Sequence, residues 1–576
     1  MSGTPHHPLP EKEGSRLRRG ARRVARLRRH PAGEAPPSNK PRFAIAMLAF
    51  CGVYAVIGGR LVTWGAVEGA EPSAARPAQE AAAPRPTLLD RNGRLLATDI
   101  RTASLYAQPA RIGDPARAAE LIASVLPEVD PARLAAQLSK GGDLIWLKRN
   151  VAPAQMQAIL ALNVEGVGVD TDRSRYYPGG STAAHVVGHV DDTNRGMAGM
   201  EQYVDAAIGH AQAVGRSAPQ DIRLSLDLRV QHALRDELAG AMRRYEAAAA
   251  GGIVLDATTG EVVAMASLPD YDPNHPVQAR QPDRYNRMTA EATELGTTAT
   301  TFTTAMALDS GKVDLSDAFD AQGPVSLGNM MLTASHGASA VRSRAMTVPE
   351  IFVYSSAAGA AQEAKAVGPA GHGAFLAKLG LTTQLRTELP ELAAPRAPSQ
   401  WTELSSLTAS IGRGIATTPL QTAAAAAALL NGGYLVTPTF LPRSERTAEV
   451  LKRRVVSAET SARMRYLFAT NAAHGSGKAS LVEGLDVGGQ TGTLADGASA
   501  TGKAQSTSYL AAFPMHDPRY VVLVMLDAPK PAAGEAHATA AWNAAPTAGA
   551  IIARTAGFLG VEPETPKDKK QLLVSY

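Results

Sequence analysis

The stretch "TELGTTATTFTTAMALDSGK", residues 293–312, has the outline of a catalytic helix without its catalysts. Gly296 ends an irregular run. Ala299, Phe302, Ala305 and Met306 then recur at helical spacing, which predicts a buried helix with one apolar stripe. Positions 297 and 300 lie one turn apart on the same side of such a helix. A serine and a lysine there would form a nucleophile and the base that takes its proton. The chain has Thr297 and Thr300 instead. A threonine hydroxyl attacks when a base activates it, but Thr300 has no pKa suited to that task. Taken alone, both threonines read equally well as helix residues whose hydroxyls bond to nearby backbone. Ser355 and Ser356 likewise read as residues that cap or line a turn. His185, His189 and His372 have no paired spacing with an acid that would suit a metal, and His185 and His189 fall on an apparent strand. Neither a metal nor a cofactor is expected.

The elements around this helix sit in a chain of 576 residues, long enough for two or three domains with their own cores. The 45% hydrophobic and 19% charged content suits a folded body. The net charge of +5 is a property of the tail. Residues 1–42 hold eleven Lys/Arg against three Glu, which leaves 47 basic and 50 acidic side chains in the rest and removes the case for a nucleic-acid partner. The basic tail runs into the uncharged "FAIAMLAFCGVYAVIGG", residues 43–59. Extended to Trp64 with Arg60 snorkelling, this segment is long enough to cross a bilayer of roughly 30 Å. A cleaved signal peptide fits less well, since no small-x-small site follows closely. The excess of positive charge predicts a cytoplasmic tail at 1–42, with everything after about residue 65 on the far side. Cys51, the only cysteine, lies in the apolar segment, so the exported part has neither a disulfide nor a thiol nucleophile.

An Ala/Pro/Glu-rich linker at 65–84 leads to globular patterning. Asn92-Gly93 between two apolar runs predicts a hairpin. "PARAAELIASVL" is one of several helical segments in 115–163, and "GGIVLDATTGEVVAMAS" (251–267) is a second hairpin. Residues 296–440 read as mostly helical. Strands return at 485–494, 506–513 and 519–529, before a last helix at roughly 541–558 with Pro546 in its first turn. Early strands, a helical block and late strands predict one antiparallel sheet of five strands, built from distant halves of the chain and covered by helices.

Stretches in order along nearly the whole chain carry a family likeness: "LLDRNGRLLA" (88–97), "RYYPGGSTAAHVVGHVDDTNRGMAGMEQYVD" (175–205), "DATTGEVVAMASLPDYDPN" (256–274), "IGRGIATTPLQ" (411–421) and "GSGKASLVEGLDVGGQTGT" (475–493). The sequence resembles the class B penicillin-binding proteins, the division-type D,D-transpeptidases of the bacterial cell wall. The resemblance implies an α+β penicillin-binding transpeptidase fold at 216–560, a mixed pedestal (dimerisation-type) domain at 85–215, one transmembrane helix at 43–64 and a tail at 561–576. Active members carry S-x-x-K, S-x-N and K-T-G motifs. The first supplies nucleophile and base, the second relays protons and holds the substrate amide, and the third adds a cation on a strand that helps form the oxyanion hole.

All three motifs are altered. "GTTATTFT" places Thr297 and Thr300 at the serine and lysine positions. "SSAAG" keeps Ser355 and Ser356 but has Ala357 for the asparagine, and "GQTGT" has Gln490 for the lysine ahead of Thr491 and Gly492. No intact copy of any motif occurs elsewhere in the chain. The resemblance further implies an inner-membrane, single-pass protein with its bulk in the periplasm, joined to a polytopic SEDS-type glycosyltransferase and the division assembly. The expected function is a catalytically silent scaffold or regulator of septal peptidoglycan synthesis. Two alternatives stand beside it: a transpeptidase using Thr297 as nucleophile, and a module that binds stem peptide or peptidoglycan.

Overall fold

The computed structural model describes Gly52 and residues 85–563, apart from 143, 218, 321–324, 328–329, 333–344, 495–505 and 532–537. The basic tail, the expected membrane helix at 43–64 apart from Gly52, the linker at 65–84 and the chain after 563 lie outside the described residues. No helix among those described is long and apolar enough to cross a membrane.

The pedestal region is built on a five-stranded sheet. The Asn92-Gly93 hairpin forms as expected, joining β1 (Thr87–Leu89) to β2 (Leu95–Ala107), with Leu88 opposite Ala97. The Asp90 carboxylate accepts from the N–H groups of Asn92 (2.8 Å) and Arg94 (2.7 Å) and so holds the turn. β2 pairs with β3 (Ile145–Val151) and β4 (Val167–Tyr176), while β1 pairs in parallel with β5 (Asp221–Arg223). Helices α1 (Pro115–Val125), α2 (Pro131–Ser139) and α3 (Pro153–Ala161) each start on a proline, and Asp114 and Asp130 cap the first two. Their apolar sides close a core around Leu105, Ile122, Leu138 and Ile159. Helix α4 (Gly199–Ala213) brings in Glu201, which is shared by Arg85 (2.9 Å) and Arg175 (2.7 Å) in a buried ion network completed by Asp99 and Asp205. His185 and His189 are not on a strand. His185 lies in the short helix Ala184–Val187 and His189 just beyond it, because Gly188 at φ +79° turns the chain there.

The head carries the expected sheet. Strands β6 (Ala249–Asp256) and β7 (Val262–Leu268) come from the first half; β8 (Gly488–Leu494), β9 (Ser506–Phe513) and β10 (Tyr520–Asp527) come from the second. They are antiparallel in the order β8-β9-β10-β6-β7. Both faces are covered, which is why "YVVLVMLD" reads as a nearly continuous apolar run. Helices α5 (Leu228–Arg244) and α11 (Ala544–Thr555) pack on one face. On the other, α6 (Ala299–Asp309), α9 (Pro419–Leu430) and α10 (Ala458–His474) share the main core. Pro546 sits in the first turn of α11, as expected.

Two expectations need correction. Residues 296–440 are less helical than their alanine content predicts: no helix lies between Lys378 and Glu403, where Pro390, Pro395 and Pro398 interrupt, and Val325–Leu327 pairs with Met330–Leu332. Helix α6 is buried all round rather than along one stripe, with Thr300, Thr301, Thr303 and Thr304 as inaccessible as Phe302.

Candidate active site

Helix α6 is entered through a short 3₁₀ turn, Gly296–Thr298. Gly296 has φ +53°, and a Cβ there would lie 2.6 Å from the Thr493 carbonyl oxygen, so glycine lets β8 cross directly over the helix start. Gly492 does the same from the strand side: a Cβ would fall 1.9 Å from Thr298 Oγ1 and 2.3 Å from Ser508 Oγ. This close crossing sets the position of the nucleophile's residue. Thr297 is half-buried, and its Oγ1 accepts from the Thr493 N–H at 2.9 Å. A carbonyl substrate above Thr297 would need that strand amide to stabilise its developing charge.

Thr300 is fully buried, and its hydroxyl donates to the Thr297 carbonyl oxygen at 2.8 Å. It serves the backbone, as helix threonines commonly do. One turn further on, Thr304 Oγ1 donates to Glu363 Oε2 at 2.8 Å. Glu363 is completely buried on α8 (Ala357–Val367), and its Oε1 has no hydrogen-bond partner among the described residues. Burial raises its carboxyl to a pKa of about 8, against which the Thr304 hydrogen bond is a small opposing effect.

Helix α7 (Val348–Val353), held at its start by the Thr347–Glu350 capping box, leads to the second altered motif. Ser355 is buried at φ +48°, a left-handed conformation that costs a non-glycine residue ~1–2 kcal/mol. Ser356 caps α8, accepting from the Gly359 N–H at 3.2 Å. Ala357 packs with Leu407 against Ile411 and offers no polar group to a ligand.

Gln490 ties the third motif to the second. Its Nε2 donates to the Phe352 carbonyl oxygen at 2.8 Å, while its Oε1 accepts from Asn471 Nδ2 (2.8 Å) and the Thr491 N–H (3.0 Å). The side chain is fully buried and both ends of its amide are used. Thr491 Oγ1 lies 2.7 Å from Ser476 Oγ, whose amide N–H is in turn held by Asn471 Oδ1. The fold therefore brings Thr297, Thr300, Ser355, Ala357, Gln490, Thr491 and Gly492 to one place where α6, the start of α8 and β8 meet. Sequence reasoning missed Asn471, Thr493 and Glu363. A signal for Glu363 was present, since it falls on the apolar spacing of Ala360 and Ala364. Asn471 gave none.

Chemically, the arrangement has a hydroxyl at the nucleophile position and strand amides beside it. It has no amine at either lysine position. Glu363, on α8, takes the Thr304 hydrogen bond one turn beyond Thr300, and burial raises its carboxyl to about 8, so it is protonated at neutral pH.

Comparison with known proteins agrees with this architecture. Residues 250–549 match the penicillin binding protein transpeptidase domain, and residues 80–217 match the penicillin-binding protein dimerisation domain. The chain is 37% identical over 495 residues to the probable peptidoglycan D,D-transpeptidase FtsI of Caulobacter vibrioides, covering 84% of this chain and 82% of that one. It is 31% identical to the probable peptidoglycan D,D-transpeptidase PenA of Neisseria gonorrhoeae (84% and 86% covered) and 27% identical to the stage V sporulation protein D of Bacillus subtilis (84% and 80%). The crystal structure of a peptidoglycan synthetase from Bifidobacterium adolescentis shares the fold, with a TM-score of 0.64 at 21% identity over 84% of this chain and 96% of that one. The chain belongs to the class B, division-type penicillin-binding proteins.

Proposed function

We propose that this protein is a catalytically silent member of its family, a scaffold or regulator in septal peptidoglycan synthesis. The observation that carries this reading is the internal use of the altered positions. Thr300 gives its proton to backbone, and Gln490 spends both ends of its amide inside the core. Loss of a positioned base alone removes ~10²–10⁴-fold from a rate. The fold around the site is kept, and a scaffold requires no more than that. In this role the segment 43–64 anchors the chain in the inner membrane with its bulk in the periplasm. Residues 43–215 engage a polytopic SEDS-type glycosyltransferase of the division assembly.

β-Lactams trap active relatives by the same nucleophile, base and oxyanion donors that the native reaction uses. Intact-mass spectrometry of the purified protein after incubation with excess penicillin is expected to show unmodified chain only. Stoichiometric acylation that disappears in Thr297→Ala would overturn the silent reading and make Thr297 the nucleophile of an active transpeptidase.

A further inference from the structure

The pedestal's segment 177–199 is fastened to the head by polar contacts along its length. Tyr177 and Asn274 exchange two hydrogen bonds of 3.0 Å, Gln231 Nε2 donates to the Thr182 carbonyl oxygen (2.8 Å), and the Gly199 N–H at the start of α4 donates to Glu391 Oε1 (2.9 Å). Between these contacts the head residue Tyr271 lies between two histidines of the pedestal. Its ring meets His185 and His189 edge-on, with centroids 5.3 and 5.4 Å away and planes at 88° and 86°. The Tyr271 hydroxyl donates to the Ala184 carbonyl oxygen (3.3 Å) and lies 3.2 Å from His189 Nδ1. His185 Nε2 lies 2.9 Å from the Arg284 carbonyl oxygen, so its neutral form carries the proton on that nitrogen.

We propose that this junction is an acid-released clasp: the neutral imidazoles of His185 and His189 grip Tyr271, and protonation loosens the pedestal from the head. A second proton on His185 would put a cation in a buried pocket beside Arg287, and the acid that faces it there, Asp270, is already paired with Arg235 at 2.6 Å. His189 faces Arg280, whose guanidinium opposes a second positive charge. Burial is the larger cause in both, and it holds both imidazoles below their ordinary pKa of 6.5. A basic group depressed in this way stabilises the closed form above its ordinary pKa, and that contribution fades as pH falls below it. Glu391 works against the histidines. Burial raises its carboxyl, so acid relieves a penalty there. Tyr271 stays neutral throughout. The clasp does not depend on whether the cleft is silent, because none of its residues belongs to the altered motifs.

Hydrogen–deuterium exchange on the full-length protein in detergent tests this, with rates corrected for the intrinsic pH dependence. Between pH 7.5 and 5.5, amides of residues 177–204 are expected to lose about tenfold protection, because one pH unit of that interval lies below the ordinary imidazole value of 6.5 and one coupled proton counts tenfold per unit. Strands Ala249–Asp256 and Tyr520–Asp527 are expected to keep theirs. His189→Gln retains a hydrogen-bonding group for Tyr271 but does not titrate, and the loss should shrink severalfold. Glu391→Gln removes the opposing group, and the loss should be at least as large as in wild type. Wild-type protection that ignores pH, an equal loss in His189→Gln, or a loss that disappears in Glu391→Gln would each overturn the clasp.

Discussion

Glu363 gives the most direct physical test of the site's interior. Its carboxyl ordinarily titrates at 4.5; in the fold, burial moves this to about 8, with Thr304 as its hydrogen-bond donor. An acid raised on folding makes the unfolded chain give up its proton first. Stability is then unaffected below the ordinary value and is lost as pH rises from 4.5 to about 8. At about 1.4 kcal/mol per pH unit, with the slope incomplete near either end of the interval, wild type should lose about 3–4 kcal/mol between pH 5 and pH 8 from this one group. Glu363→Gln keeps an acceptor for Thr304 and removes the titration. The new amide adds a donor without an assigned partner, a cost of ~1–3 kcal/mol that does not vary with pH. The slope, and not the offset, is therefore the diagnostic quantity. Urea unfolding of both proteins at pH 5, 6, 7 and 8 should show the variant gaining on wild type by about 3–4 kcal/mol across the series. Parallel stability curves would mean that Glu363 ionises freely in the folded protein, and the account of a dry, protonated carboxyl under α6 would be wrong.

Two further outcomes follow from the packing. Gly492→Ala should destabilise by ~1–3 kcal/mol, because its Cβ would meet Thr298 Oγ1 and Ser508 Oγ; a melting temperature equal to wild type would show that the crossing of β8 over α6 is looser than described. Glu201→Gln breaks a buried carboxylate shared by Arg85 and Arg175 and should cost ~3–5 kcal/mol, read as a fall in the denaturation midpoint of the pedestal; a cost under about 1 kcal/mol would place those arginines in contact with water.

Much of the scaffold was legible in the sequence because its signals are local. Asn92-Gly93 encodes a turn, "PARAAELIASVL" encodes a helix, and the apolar run at 519–529 encodes a strand. The altered motif positions were legible as well, since they depend on residue type at fixed spacing. Pairings between distant segments were not. Nothing in the local sequence says that Asn471 holds Gln490, that Glu391 caps the first amide of α4, or that Tyr271 enters between His185 and His189. The helix reading of 296–440 failed for a related reason: alanine raises helix propensity everywhere, while Gly380 at φ +78° follows the end of one helix at Lys378 and Pro390, Pro395 and Pro398 keep the chain out of the next until Glu403.

The chemistry of the altered positions explains how the fold tolerates them. Positions 300 and 490 are both fully buried, so an ammonium at either must be stripped of water and then compensated by neighbouring dipoles or acids. An active site accepts that cost because the charges act on substrate. In the silent protein proposed above, neutral groups that satisfy the same neighbours are the lower-energy choice. Thr300 fills its position with a hydroxyl bonded to the turn above it. Gln490 reaches the Phe352 carbonyl oxygen while still accepting from Asn471, a double role that a lysine, with donors only, could not perform. Glu363 fits the same balance. This buried acid, bonded to Thr304 one turn beyond position 300, has no cation partner among the described residues, and its proton keeps it neutral in place of a salt bridge. The altered residues thus form a self-consistent, uncharged interior in which each loss of catalytic charge coincides with a satisfied hydrogen bond. On the proposed silent reading, stability and catalysis compete for the same buried positions, and stability holds them here.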